Sequence, residues 1–156
     1  MSFEIVRSDE LIWQSKAIID QLIPQNNVQL DLSLLPENPM KLKVFGNKQL
    51  LTLAFVNLLT NACKYSNNKL VSISIASTDS HVLFIIKDQG IGIPKSELSL
   101  IYDPFFRASN THQYEGYGIG LSLTRNIIKI HNGQLQVSSV LDQGTIVQIK
   151  IPVAKL

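Results

Sequence analysis

The chain has 156 residues, of which 45% are apolar and 17% charged, and it carries a formal net charge of +2. This length and apolar content suit one domain over residues 1–156 that buries its own core, which excludes an intrinsically disordered chain. The 14 basic residues are nearly balanced by 12 acidic ones and form no cluster, so we expect no nucleic-acid partner.

Cysteine content and hydropathy exclude further classes of protein. The single cysteine, Cys63, can form neither an internal disulfide nor a zinc site by itself, which indicates a reducing compartment. The longest uncharged stretch, between Lys48 and Lys64, is interrupted by polar residues and is shorter than a membrane-spanning helix, which needs about 20 apolar residues. The first residues show no secretory signal. We therefore expect a cytoplasmic domain without direct membrane contact.

Hydrophobic periodicity predicts a succession of helices and strands without a linker or repeat. In chain order these are a helix over 8–22, strands over 28–32 and 40–45, a helix from 48 to about 65 capped by Asn47, strands over 70–76 and 81–87, a loop over 94–120, a helix over 120–131, and a hairpin of strands 134–140 and 145–152. The almost continuously apolar strand over 81–87 should be central in its sheet. The succession predicts an α+β fold, a two-layer sandwich with about three helices over one face of a mixed, mostly antiparallel sheet.

The helix predicted from residue 48 carries a polar stripe on an otherwise apolar surface. Asn57, Asn61, Lys64 and Tyr65 stand at i, i+4, i+7 and i+8, so they lie along one side. A buried amide without a partner costs about 1–3 kcal/mol, so neighbouring backbone must satisfy the stripe or a ligand must bind there. Amide oxygens and an ammonium group suit a phosphate-bound Mg²⁺, which needs only one or two protein oxygens.

Two glycine-rich segments could approach a ligand closely. Residues 88–94 read Asp-Gln-Gly-Ile-Gly-Ile-Pro and follow the expected central strand, where the Asp88 carboxylate can accept a hydrogen bond from the amine of adenine but not from the carbonyl of guanine. Residues 116–121 read Gly-Tyr-Gly-Ile-Gly-Leu and open the helix over 120–131, where free N–H groups bind anions. An ordinary Asp-Gly turn and a flexible hinge are the respective alternatives.

A third motif, Phe105-Phe106-Arg107, lies between the two glycine-rich segments. The two phenylalanine rings could anchor this loop on the core. The Arg107 guanidinium could stabilise charge on a transferring phosphoryl group, although a solvated surface arginine is the alternative.

In this order the motifs resemble those of the catalytic, ATP-binding domain of bacterial sensor histidine kinases, in the superfamily of gyrase, Hsp90, histidine kinases and MutL. The resemblance covers nearly the whole chain. It implies an ATP site between the long helix and the 94–120 segment, which would be the ATP lid. The motifs that carry it are Asn57-x3-Asn61-x2-Lys64-Tyr65, Asp88-x-Gly90-x-Gly92-Ile93-Pro94, Phe105-Phe106-Arg107, Gly116-x-Gly118-x-Gly120-Leu121 and Gly144-Thr145.

The resemblance also implies a role for each of these positions. Asn61 would bind magnesium, and Asn57 and Lys64 would lie at the phosphates and, with Arg107, would be the catalytic residues. The other residues implied at the ATP site are Tyr65 and Asp88 at the adenine, Gly90, Gly92 and Ile93 in the first glycine box, Phe105 and Phe106 in the F box, Gly116, Gly118, Gly120 and Leu121 in the second glycine box, and Gly144 and Thr145 near the adenine pocket.

The residue at position 57 favours a kinase over a hydrolase. The ATPases of the superfamily resemble one another in having a glutamate at this point, as a general base for water, and an amide such as Asn57 cannot take a proton. The resemblance therefore implies transfer of the γ-phosphoryl group of Mg-ATP to a histidine in two-component signal transduction. An anti-sigma-factor-type serine kinase and a nucleotide-binding pseudokinase are the alternatives.

The acceptor histidine is expected outside this chain. None of His81, His112 and His131 is followed by the acidic-then-basic pattern of a phosphoacceptor helix. The resemblance implies a fragment that binds ATP but does not autophosphorylate, monomeric by itself and taken from a homodimeric, membrane-anchored sensor. Its partners would be the sensor's dimerisation domain, which carries the acceptor, and a response regulator downstream.

Overall fold

Helices and strands form two layers in the computed structural model, which describes residues 2–103 and 120–155. Within these residues the helices are α1 (Ser8–Leu22), α2 (Lys48–Tyr65) and α3 (Gly120–Ile130). The strands are β1 (Glu4–Arg7), β2 (Val28–Asp31), β3 (Lys43–Gly46), β4 (Val71–Ser77), β5 (His81–Asp88), β6 (Gln134–Val140) and β7 (Gly144–Pro152). The predicted α+β sandwich is confirmed, and none of the described helices has the length and hydropathy to cross a bilayer.

The main sheet has five strands in the order β2-β4-β5-β7-β6, so β5 is central, as predicted. Strands β2 and β4 pair parallel, and the other three pairs of neighbours in this sheet are antiparallel. Alternate residues of β4 and β5 are buried on one face. This face packs under the helices, and the rings of Phe55 in α2 and Phe84 in β5 lie 4.7 Å apart between centroids.

Helix α2 is the central helix of the second layer because it packs against both α1 and α3. Its first turn is capped as predicted: the side-chain oxygen of Asn47 accepts a hydrogen bond from the N–H of Leu50 at 2.9 Å. The helix buries one broad face of seven residues, namely Leu51, Ala54, Phe55, Leu58, Leu59, Ala62 and Cys63. The contacts with α1 and α3 therefore fix the orientation of the polar stripe beside this face.

The prediction of a strand over 40–45 is wrong for its first half and correct for its second half. Residues Pro39–Leu42 form a 3-10 helix, and the strand β3 begins only at Lys43. The cause is local, since Pro39 fixes the first helical φ and the Asn38 side chain accepts from the N–H of Met40 at 3.1 Å. Strand β1, which was not predicted, pairs antiparallel with β3 in a separate two-stranded sheet.

His131 joins the end of α3 to the start of α2. Its buried imidazole donates from Nδ1 to the carbonyl of Ile127 at 2.7 Å and accepts at Nε2 from the N–H of Asn47 at 3.0 Å. The ring also stacks on Phe3, with centroids 4.9 Å apart. Because both ring nitrogens are occupied in the core, His131 has a structural role in this domain.

Replacing Ser8 with alanine should stabilise the protein. The side chain is fully buried at the start of α1, and its Oγ has no hydrogen-bond partner among the described residues. Alanine removes this unsatisfied hydroxyl and is the better helix former, so we expect the free energy of unfolding in urea to rise by about 1 kcal/mol. Ser15→Ala is the matched control, because that buried Oγ donates to the carbonyl of Leu11 at 2.8 Å. A loss of stability in Ser8→Ala would contradict this prediction.

Candidate functional site

The Asp88 carboxylate lies where β5 ends and is anchored from two directions. Its Oδ1 accepts hydrogen bonds from the N–H of Gly90 at 2.9 Å and from the N–H of Thr145 in β7 at 3.2 Å. Both amides bond to the same oxygen, so among the described residues Oδ2 is left available for a ligand that donates. The geometry supplies a fixed hydrogen-bond acceptor at the end of the central strand.

Burial raises the pKa of the Asp88 carboxyl, and the N–H groups of Gly90 and Thr145 oppose part of this effect. The ionised form therefore has two hydrogen bonds but incomplete solvation. Such a group gains from a ligand that donates to its second oxygen. A half-buried carboxylate with a perturbed pKa in a glycine-rich loop is a common feature of functional sites.

The loop after Asp88 is held by backbone hydrogen bonds on both sides of Ile91. The N–H of Ile91 donates to the carbonyl of Tyr65 at the end of α2, at 3.2 Å. The carbonyl of Ile91 accepts from the N–H of Asp142, in the turn between β6 and β7, at 2.7 Å. Gly92 has φ +71°, and a Cβ there would lie 2.2 Å from the carbonyl oxygen of Val140. The loop thus requires glycine where it meets the hairpin.

The polar stripe of α2 lies beside this loop, since Tyr65 at the end of the stripe accepts the hydrogen bond from the N–H of Ile91. The Asn57 and Asn61 side chains are half-buried and make no hydrogen bond to any described residue. By contrast, the Thr60 hydroxyl on the same helix donates to the carbonyl of Val56 at 2.6 Å. Half-buried amides without a hydrogen bond to the described residues fit a ligand face better than a structural seam. Amide oxygens are also suitable ligands for Mg²⁺.

Lys64 and Tyr65 complete the described part of the stripe. Lys64 Nζ lies 5.2 Å from the centroid of the Tyr65 ring, a cation–π distance. Both side chains are half-buried. The structure therefore brings an ammonium group and an aromatic ring to the end of α2 that contacts the Asp88 loop.

Ser139 belongs to this cluster and was not predicted. Its Oγ accepts from the N–H of Ile93 at 2.7 Å, contacts the Thr145 hydroxyl at 2.8 Å and donates to the carbonyl of Gly144 at 3.0 Å. The signal in the sequence was a serine on the inward-facing positions of the strand predicted over 134–140. Ile93 itself lines a groove of about 670 Å³ between the 3-10 helix Lys95–Leu100 and β6.

The structure brings some of the predicted site residues together around Asp88. Asp88 accepts hydrogen bonds from Gly90 and Thr145, and the carbonyl of Tyr65 accepts from the N–H of Ile91 in the same loop. Gly120 begins α3 as predicted, and Leu121 packs half-buried against the core. The other predicted residues, namely Phe105, Phe106, Arg107, Gly116 and Gly118, lie outside the described residues, as does His112.

Comparison with known proteins defines the class of this two-layer domain. A family model described as histidine kinase-, DNA gyrase B-, and HSP90-like ATPase matches residues 46–155, and the chain belongs to this family. The predicted superfamily is therefore confirmed. Among the described residues no cluster of His, Cys, Asp or Glu could by itself hold a metal ion.

Within the family the chain is similar to histidine kinases. It is 38% identical to the adaptive-response sensory kinase SasA of Rippkaea orientalis, over 80% of this chain and 32% of that protein. It is 34% identical to the hybrid signal transduction histidine kinase A of Dictyostelium discoideum, over 91% of this chain and 7% of that protein. The mycobacterial sensor histidine kinase MprB has the same fold, with a TM-score of 0.81, 26% identity, and coverage of 99% of this chain and 100% of that one. The chain thus spans about a third of the length of the SasA relative.

Proposed function

We propose that this domain binds Mg-ATP and donates its γ-phosphoryl group to a histidine on a separate dimerisation domain in two-component signal transduction. The observation that carries the proposal is the Asp88 carboxylate, which has one oxygen fixed by two amides and the other unbonded among the described residues. An adenine amine would donate to that second oxygen. The similarity to SasA and MprB supports the kinase assignment.

The polar stripe of α2 would hold the metal and the phosphates. Asn61 would supply an amide oxygen to Mg²⁺, with Asn57 and Lys64 directed at phosphate oxygens. Bound Mg²⁺ would neutralise charge on the phosphates during transfer. The fit rests on the two half-buried amides that have no hydrogen bond to the described residues. Roles for Phe105, Phe106, Arg107, Gly116, Gly118, Gly120 and Leu121 at the lid and the phosphates remain predictions from the motifs.

Phosphoryl transfer is favoured over hydrolysis because of Asn57. A neutral amide can orient a group by hydrogen bonding but cannot remove a proton from an attacking water. A histidine acceptor on another domain needs no such base from this helix. We further propose that the whole protein is a homodimeric, membrane-anchored sensor with this domain in its cytoplasmic portion, and that a response regulator receives the phosphoryl group.

The test combines this chain with the dimerisation domain of the native full-length protein and γ-labelled Mg-ATP. We expect acid-labile label on the dimerisation domain and none on this chain. Asn61→Ala should reduce transfer by about 100-fold or more, as expected when a magnesium position in a phosphoryl-transfer site is lost. Thr60→Ala, the matched control, removes a hydroxyl bonded within α2 and should retain transfer.

Three outcomes would overturn the proposal. Acid-stable label on serine would identify the serine-kinase alternative. Absence of ATP binding at millimolar concentration would favour a degenerate scaffold. Binding of Mg-ATP without transfer to the native dimerisation domain would identify a nucleotide-binding pseudokinase.

A further inference from the structure

The hydroxyl of Ser139 makes three hydrogen bonds, which link β6 to the loop after Asp88 and to the start of β7. Its half-buried hydroxyl contacts the N–H of Ile93 at 2.7 Å, the carbonyl of Gly144 at 3.0 Å and the hydroxyl of Thr145 at 2.8 Å. These groups come from the loop after Asp88 and from the start of β7. One side chain therefore ties together the two segments that surround the Asp88 carboxylate.

A count of protons determines the direction of each bond. A serine hydroxyl has one hydrogen to donate and two lone pairs to accept with. The carbonyl of Gly144 can only accept and the N–H of Ile93 can only donate, so Ser139 donates to the first and accepts from the second. Its remaining lone pair can then accept only from the Thr145 hydroxyl. This arrangement satisfies all four groups, and it commits the Thr145 hydrogen to Ser139.

The committed hydrogen fixes what Thr145 can offer to a ligand. Its Oγ1 retains lone pairs and has no hydrogen left to donate, so it can act only as an acceptor. The N–H of the same residue donates to Asp88 Oδ1 at 3.2 Å, which keeps Thr145 next to the carboxylate. Two acceptors, Asp88 Oδ2 and Thr145 Oγ1, are thereby grouped at the end of β5.

We propose that Ser139 is a positioning residue that makes the site selective for 6-aminopurine nucleotides, by holding Thr145 as an acceptor beside Asp88. The inference rests on the proposed function, because it concerns the nucleotide of that site. An exocyclic amine donates two hydrogens and matches two acceptors, either directly or through a water. A 6-oxopurine presents a carbonyl, which neither acceptor can bind.

The test compares Ser139→Ala with Ser138→Ala, the neighbouring residue that points to the exposed face of β6. Binding of Mg-ATP and of the triphosphate of purine riboside, which lacks the amine, is measured by calorimetry. We expect Ser139→Ala to weaken ATP binding roughly five- to tenfold and the amine-free nucleotide less than about twofold, the size expected from one misdirected hydrogen bond. Ser138→Ala should change neither.

Two further variants separate positioning from general packing. In a Thr145→Val background, Ser139→Ala should cause no additional loss of amine discrimination, because the group that it orients is gone. Ser139→Thr keeps the hydroxyl and should restore discrimination. Thermal unfolding is followed for each variant, and Ser139→Cys, which preserves side-chain size, replaces the alanine variant if that protein does not fold.

Equal loss of affinity for both nucleotides in Ser139→Ala would overturn the inference, since the serine would then only hold the loop. Unchanged ATP affinity would overturn it as well. Failure of the wild-type chain to bind ATP at all is a different result, because it would refute the proposed function before any variant is compared.

Discussion

Asp88→Asn should weaken binding of Mg-ATP by about 100-fold, since a hydrogen bond to a charged group contributes about 1.5–3 kcal/mol. Asparagine does more than remove the charge, because it also places a hydrogen-bond donor where the carboxylate has an acceptor. Its side-chain oxygen will accept the N–H groups of Gly90 and Thr145 that now bond to Oδ1. The side-chain NH₂ group must then occupy the position of Oδ2, where it meets the adenine amine donor to donor.

The same reversal should change nucleotide preference, because the new NH₂ group suits a carbonyl. We expect Asp88→Asn to bind inosine triphosphate better, relative to ATP, than the wild type does, as measured by calorimetry on both proteins. Asp79→Asn is the control, since this exposed aspartate lies in the turn between β4 and β5 and forms an ion pair with Lys41 at 3.6 Å. Unchanged ATP affinity in Asp88→Asn would remove the adenine-recognition role from this residue.

Measurements of stability and of the pH dependence of ATP affinity show whether Asp88→Asn loses nucleotide binding alone or the folded structure as well. Burial raises the pKa of Asp88, so between the unfolded and folded values the folded state binds more protons, and stability falls as pH rises through that range. Asparagine has no such ionisation, and we expect Asp88→Asn to unfold at neutral pH no more easily than the wild type. In the wild type, ATP affinity should fall as pH decreases through the raised pKa of Asp88, a dependence that the variant lacks.

Gly144→Ala should destabilise the protein by about 3 kcal/mol or more and abolish nucleotide binding, as expected for strain and overlap within rigid backbone. Gly144 has φ +127°, and a Cβ there would lie 2.1 Å from the carbonyl oxygen of Asp88. Neither backbone can yield without displacing the Thr145 N–H from the Asp88 carboxylate.

Urea unfolding of Gly144→Ala gives the stability change, with Gln143→Ala as the control in the same turn. The side chain of Gln143 is exposed, so we expect its removal to change stability by less than about 0.5 kcal/mol. If the two alanine variants are equally stable, the close approach of Gly144 to Asp88 is not a constraint on the fold.

The sequence predicted those helices and strands whose own residues show a clear hydrophobic periodicity. Strands β4 and β5 alternate between a buried and a more exposed face, and α1 begins and ends at the predicted residues. Strand β1 has four residues and pairs with β3 about 40 residues later in the chain, so no local pattern could reveal it. The strand predicted over 40–45 was shortened because Pro39 and Asn38 favour a helical turn there.

The residues of the candidate site also differ in whether a local sequence motif could predict them. Asp88 and Thr145 could be named because each belongs to a short motif, and the structure joins them by a hydrogen bond. Ser139 belongs to none. Its role depends on the register that places it opposite Thr145 in the β6–β7 pair and on the distant N–H of Ile93. Such a role can be inferred only when two strands and a loop are seen together.

The hydrogen bonds of Ile91 determine which position of this loop can tolerate substitution. Both are made by the backbone, to Tyr65 on one side and to Asp142 on the other, so they do not depend on the side chain. The two flanking glycines have no such freedom, since a Cβ would meet the carbonyl oxygen of Tyr65 at 2.6 Å from Gly90 and that of Val140 at 2.2 Å from Gly92. Position 91 can therefore accept other side chains and alter the surface of the loop, whereas any side chain at position 90 or 92 would displace its backbone.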